Sequence, residues 1–308
     1  MSPAADFRCS AAGEQRGDEL SGTASTVRTF LLMEHQGPWG PEALRDSRLP
    51  AALGPALQRQ AAAHRVRPLL IRRPGRSGRT DPSEGVRVFA VVAGAWAETA
   101  VVPDLEAVLD WDLGALAAGR GLGLARHDEP IFAVCTHGRH DVCCAERGRP
   151  LALALAEAAP GQTWECSHIG GDRFAGNLLV LPDGLYYGRL TPDEAVRLAG
   201  EHAAGRLDLQ HLRGRSSLPM PVQAAEIALR RHLAEPGRTA LTFASRAVEG
   251  PLTVARFRHG GTTYAVTVRT SESTDTHPLT CRAVVTSPLP RHEVLDVEPV
   301  ERDELVEG

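Results

Sequence analysis

Along most of the chain, apolar runs of strand length alternate with Ala- and Leu-rich stretches of helical length, and one order of elements occurs twice. The first pass predicts a strand at residues 27–33, a Gly-Pro turn, an Ala-rich helix at 51–65 and a strand at 67–71. Paired strands at 86–93 and 97–102 and a helix within 105–118 complete it. The second pass predicts a strand at 130–134, a helix at 150–158, a strand at 163–166, paired strands at 178–181 and 185–189, and a helix at 192–204. Local chemistry supports these elements. Thr191 precedes Pro192, Asp193 and Glu194, a helix start in which a hydroxyl caps orphan amides and acidic residues meet the positive end of the dipole. Pro182, Asp183 and Gly184 form the hairpin turn, with Gly free to take positive φ.

The order β-α-β-β-β-α, twice, predicts an α/β fold of two tandem thioredoxin-like layers packed as a pseudo-symmetric pair. A polar link at 206–217 leads to a helix at 221–233 and β-type alternation at 240–248, 252–259, 262–270 and 280–286. These form a small α+β C-terminal module. The expected organisation is a flexible N-terminal head at 1–22, the first repeat at 23–125, the second at 126–215 and the C-terminal module at 216–308, ending in an acidic tail.

Composition narrows the function. The chain has 308 residues, 43% apolar and 23% charged, within the range of globular proteins, and it has no uninterrupted apolar run of the roughly 20 residues a bilayer span needs. All 34 basic residues are Arg, which excludes a P-loop, a pyridoxal imine and a kinase-type lysine. A net charge of -4 gives no global field for nucleic acid. The first 22 residues are charged and lack the apolar core of a secretory leader, so a cytoplasmic location is expected, with the six cysteines reduced. Clustered thiols in that setting read as metal ligands or redox groups.

Four of those cysteines lie in two strings, V-C-T-H-G-R-H-D-V-C-C-A at 134–145 and W-E-C-S-H-I-G-G-D-R-F-A-G-N at 164–177. Both are expected in loops at strand ends. Cys135 and Cys144 flank a loop long enough to wrap a multi-atom cluster, and Cys166 and His168 share a side of extended chain. Gly170 and Gly171 let amides approach sulfur, while Arg139, Arg147 and Arg173 would offset a cluster's negative charge. Neither string has the short C-x2-C knuckle usual in zinc ribbons. Cys9, Cys143 and Cys281 read as packing thiols, and His137 and His140 as polar loop residues.

These strings, with L-P-D-G-L-Y-Y-G at 181–188, resemble the sucrase/ferredoxin-like family, which includes thioredoxin-like ferredoxins, over most of residues 20–235. The resemblance implies a [2Fe-2S] cluster, a redox partner protein and an electron carrier or redox sensor rather than an enzyme with its own substrate. Cys count and loop length also admit [4Fe-4S]. Eukaryotic members ligate iron through two Cys of the first motif and two His of H-x-G-G-H, which implies Cys135, Cys144 and His168. Asp172 stands where the second His would be, and Cys166 is the soft ligand nominated in its place, with Asp172 the alternative. Two other readings remain open: a thiol-disulfide oxidoreductase and a zinc-stabilised interaction module.

Overall fold

The computed structural model describes residues 6–75 and 84–300. The acidic tail beyond Val300 lies outside the described residues. In the first repeat, β1 (Thr29–Glu34), α2 (Ala43–Asp46), α3 (Leu53–Ala63), β2 (Arg67–Arg72), β3 (Val86–Val92), β4 (Trp96–Val102), α4 (Leu113–Ala117) and β5 (Ala125–Arg126) follow a short α1 (Cys9–Gln15). The second contains β6 (Ile131–Cys135), α5 (Val142–Ala158), β7 (Thr163–Cys166), β8 (Leu178–Leu181), β9 (Leu185–Tyr187), α6 (Pro192–Ala203) and β10 (Leu212–Arg215). Then come α7 (Met220–His232), β11 (Thr242–Glu249), β12 (Leu252–His259), β13 (Thr262–His277) and β14 (Ser287–Val300).

The fold is mixed α/β, with a ten-stranded sheet and a four-stranded antiparallel sheet among the described residues. The repeat is visible in strand directions: β1 runs parallel to β2 and antiparallel to β3, which pairs with β4. In the same way, β6 runs parallel to β7 and antiparallel to β8, which pairs with β9. The two repeats do not stack as separate layers, as the sequence leads one to expect. They join edge to edge through β2 and β7, where Ile71 faces Cys166 and Arg72 faces Glu165. Exposed strand edges attract pairing partners, and here each repeat covers the other's. The seam is reinforced by the Arg72–Glu165 ion pair at 2.6 Å and by Ser167 hydroxyl accepting from Leu70 N–H at 3.0 Å.

One apolar cluster runs across the seam, uniting Phe30, Leu32, Ile71 and Phe89 with Ala133, Trp164, Leu179 and Tyr186. The other sheet face carries separate cores, one joining Leu57 of α3 to the first repeat and one joining Leu151, Leu155 and Leu198 of α5 and α6 to the second. Each fully buried large side chain contributes about 1.5–3 kcal/mol, so the shared cluster outweighs the short seam ladder in holding the halves together.

Several elements depart from expectation. Helix α5 begins at Val142, eight residues before Pro150, because Asp141 caps it by accepting from Cys143 N–H at 2.9 Å. Pro150 is an interior residue rather than the first. The helix expected within 105–118 is two short pieces, a 3-10 turn over Leu105–Asp110 capped by Asp104 and α4 capped by Asp112. The link at 206–217 contains β10, and residues 280–286 form a connection between β13 and the unforeseen strand β14. The N-terminal head is not loose where described: Cys9 is fully buried and Arg189 donates to the Asp18 carbonyl at 2.6 Å.

Candidate metal centre

Strands β6 and β7 are parallel neighbours, and their C-terminal residues Cys135 and Cys166 are in register. The chain leaves β6, turns through 136–141 and enters α5, so Cys143 and Cys144 sit in a helical first turn rather than in a loop. A helix N-terminus favours thiolate over thiol. Gly148 lets α5 approach the strand end, since a Cβ there would collide with the Cys135 carbonyl. The second string leaves β7, passes Gly170 at φ 98° and Gly171 at φ 81°, and closes in a 3-10 turn over Asp172–Phe174.

This arrangement brings ligand atoms of Cys135, Cys144 and His168 within 4.8 Å of one another. His168 also belongs to a second such group with His140 and Asp172. Asp172 joins them: its Oδ1 is 3.2 Å from Cys144 Sγ and 3.0 Å from His168 Nδ1, and its Oδ2 is 3.8 Å from His140 Nε2. The His140 and His168 rings are stacked with centroids 3.8 Å apart. Despite the nearby carboxylate, His168 Nδ1 is buried without a well-directed hydrogen bond. A largely buried imidazole set between two thiols and a carboxylate has the donor set of a metal ligand.

The thiols share their charge unequally. Cys135 lies well below the usual thiol range because the Cys144 S–H donates to it, with His168 adding to the effect against full burial. Cys144 is correspondingly raised. For His168, burial opposes protonation, but Asp172 and Cys135 outweigh it and push the ring up to about 9. Together these groups make an anionic, sulfur-rich pocket ready to exchange protons for a cation.

His137 is held as support. Its Nε2 lies 2.6 Å from the Gly40 carbonyl and its Nδ1 accepts from His168 N–H at 3.2 Å, so the neutral Nε2–H tautomer satisfies both contacts.

The other residues singled out from sequence have distinct places. Cys166 is buried in the seam cluster beside Cys135, is raised by burial, and is outside both ligand groups. The alternative to it, Asp172, is the one whose carboxylate lies against Cys144 and His168. The glycines make room for protein rather than sulfur: a Cβ on Gly170 would meet Ser25 Oγ at 2.6 Å, and one on Gly171 would strike the Arg213 guanidinium. Arg139 is exposed in the turn, whereas Arg173 pairs with Asp18 at 3.2 Å and lies 4.4 Å over Phe174.

Arg213 is the site residue that sequence reasoning missed. It is buried, donates to Gly170 O at 2.9 Å and Asn177 Oδ1 at 2.8 Å, and also binds Thr23 through its hydroxyl and carbonyl. Asn177, the only Asn in the chain, in turn donates to Gly171 O at 2.8 Å. These bonds fix the Gly-Gly turn from beneath. Burial lowers Arg213 to about 10, and its charge remains directed at Asp172 and Cys135.

Exposure is asymmetric. Cys135 and Cys144 are each 1% exposed, while the His168 and His140 side chains are 22% and 29% exposed. They open on a cleft of about 340 Å³ whose far wall is Pro41, Leu44, Ala62 and Arg67 of the first repeat. No helix among the described residues is long and apolar enough to cross a membrane. Neither curated proteins nor solved structures give a significant match. The sequence profile described as sucrase/ferredoxin-like matches residues 20–214, a span that contains both motif strings, the seam and the Arg213 support, and the chain belongs to the sucrase/ferredoxin-like family.

Proposed function

We propose that the protein is an iron-sulfur carrier or sensor of single electrons, with a [2Fe-2S] cluster held by Cys135, Cys144 and His168. The observation that carries this reading is the convergence of two buried thiols with the His168 imidazole and, beside them, the Asp172 carboxylate. Asp172 is the fourth ligand best supported by distance, with Cys166 displaced to a buried neighbour. A bound cluster would supply reversible one-electron chemistry, and imidazole in place of thiolate removes negative charge and raises its potential. The protein's own groups do the rest. The α5 N-terminus and Arg213 offset anionic charge, the seam cluster excludes water from the sulfurs, and the cleft leaves histidine edges accessible to a redox partner protein.

Anaerobically purified protein is expected to be red-brown, with iron and acid-labile sulfide in equal amounts. Cys135→Ala or Cys144→Ala should abolish the visible bands. Asp172→Ala should alter them, and Cys166→Ser should leave them in place; the reverse pattern would return Cys166 to the ligand set. Colourless protein after anaerobic reconstitution, with Cys135 and Cys144 oxidising reversibly to a disulfide, would replace the proposal with a dithiol oxidoreductase.

A further inference from the structure

A third group of ligand atoms draws on the same helical turn. Cys9, Asp141, Cys143 and Cys281 place a sulfur or carboxylate oxygen within 4.8 Å of one another. They come from α1, the cap and first turn of α5, and the β13–β14 connection. The Cys143–Cys281 and Cys281–Cys9 sulfur separations are 3.3 and 3.6 Å, and Cys9 Sγ is 3.6 Å from Asp141 Oδ2. A tetrahedral zinc site with arms of about 2.3 Å has ligand-ligand edges of about 3.8 Å, so small adjustments would admit one ion. Cys9, Asp141 and Cys143 are at most 1% exposed.

We infer that these four side chains form a structural zinc site, distinct from the iron-sulfur site and adjoining it where Cys143 and Cys144 are neighbours in the chain.

The surroundings are those of a thiolate-metal centre. Cys9 N–H donates to Cys281 Sγ at 3.4 Å. Asp141 is oriented by N–H groups of Cys143 at 2.9 Å and Cys281 at 2.6 Å, the kind of outer contact that aims a ligand. Arg8, Arg147 and Arg173 bring positive charge to its thiols. The local apolar cluster contains only these cysteines, Ala175 and partly buried Phe7, too little to pin α1 and the 278–286 connection by burial alone. A bound ion would supply that anchor, since binding energy at a structural site is folding energy. A disulfide would use two thiols and leave the third, with the carboxylate, unexplained. Cys9 and Cys281 both fall outside residues 20–214, so two of the four ligands come from this chain's own flanks.

The test is elemental analysis and native mass spectrometry of anaerobically purified full-length protein and its Cys9→Ser, Cys281→Ser and Cys135→Ser variants. One zinc per chain is expected in the parent and in Cys135→Ser. Cys9→Ser and Cys281→Ser should each lower zinc at least tenfold while keeping the parent's iron and sulfide. Retained iron shows that the fold survives; if either variant is insoluble, chelation of parent zinc with release followed by a thiol-reactive dye gives the same information, three thiols becoming reactive together. Zinc absent from the parent, a Cys143–Cys281 disulfide in its mass, or zinc lost in Cys135→Ser but kept in Cys281→Ser would overturn the assignment. Failure of the iron-sulfur proposal reads differently: a parent with two zinc and no iron, losing one to Cys281→Ser, leaves this site standing.

Discussion

At the scale of single residues, the buried carboxylate of Asp208 shows how burial is offset by partners. Asp208, between α6 and β10, accepts from the N–H groups of Gln210 and His211, from the His211 ring at 3.0 Å and from Arg197 at 2.6 Å. Burial works against its ionisation, but His211 and Arg197 outweigh it and hold the carboxyl at about 2. A folded-state value below the unfolded one gives stability that is full above pH ~4 and lost as pH falls toward ~2. Asp208→Asn should therefore cost about 2 kcal/mol at pH 7 in urea unfolding, and the difference from the parent should shrink across that acid window. A pH-independent difference would assign the effect to shape. Arg213 obeys the same rule with neutral acceptors, which is why it escaped the sequence reading: one Arg in an Arg- and Gly-rich link carries no sign that four oxygens await it inside.

At the scale of elements, sequence signals succeeded where a local cause acts alone. Helix α6 has the expected Thr191 cap with Pro at its start, closed by a Thr191–Glu194 capping box, and the β8–β9 pair turns where Gly184 permits it. The start of α5 was hidden because Pro150 imitates a first-turn proline while Asp141, the real cap, sits inside a motif that draws attention to its cysteines. Strand β14 was hidden because Pro288, Pro290 and its charges resemble a frayed tail; its polar pattern follows from a face largely open to solvent. The two-pair seam between β2 and β7 could not be read at all, since pairing between repeats is a tertiary outcome. Glu165 is the element-level test. It accepts from Arg72 and from the Thr136 hydroxyl at 3.0 Å, so Glu165→Ala should lower stability by about 2–3 kcal/mol through a stranded, partly screened Arg72. Calorimetry in which Arg72→Ala costs as much as the double variant would confirm the coupling; full additivity would contradict it.

For the whole molecule, the family span ends at β10, but the folded unit does not. Val222, Ala225 and Leu229 of α7 pack against Ala255, Phe257, Val266 and Val268 of the small sheet, while Gln223 on the same helix bonds Ala24 near the start of the first repeat. A chain ended after residue 239 would uncover that apolar face. It should aggregate or bind an apolar dye strongly, whereas a soluble, dye-free product with unchanged unfolding would show that the module is dispensable. Cys9 and Cys281, 272 residues apart in sequence, also meet only because this module returns to the N-terminal helix. Their proximity was illegible in the sequence for that reason, while Cys135, Cys144 and His168 announced themselves through strings on adjacent elements.

The cleft in front of the histidines has two walls of different origin. The floor, His137, His140 and His168, comes from the second repeat, while Pro41, Glu42, Leu44 and Ala62 come from the first. Exchanges at Leu44 and Ala62 can therefore reshape what is admitted without touching a candidate ligand, whereas Gly40 and Pro41 reach the floor through carbonyls at His137 and His140. The duplicated half that carries no ligands is a lock some of whose wards can be recut independently of the mechanism behind it.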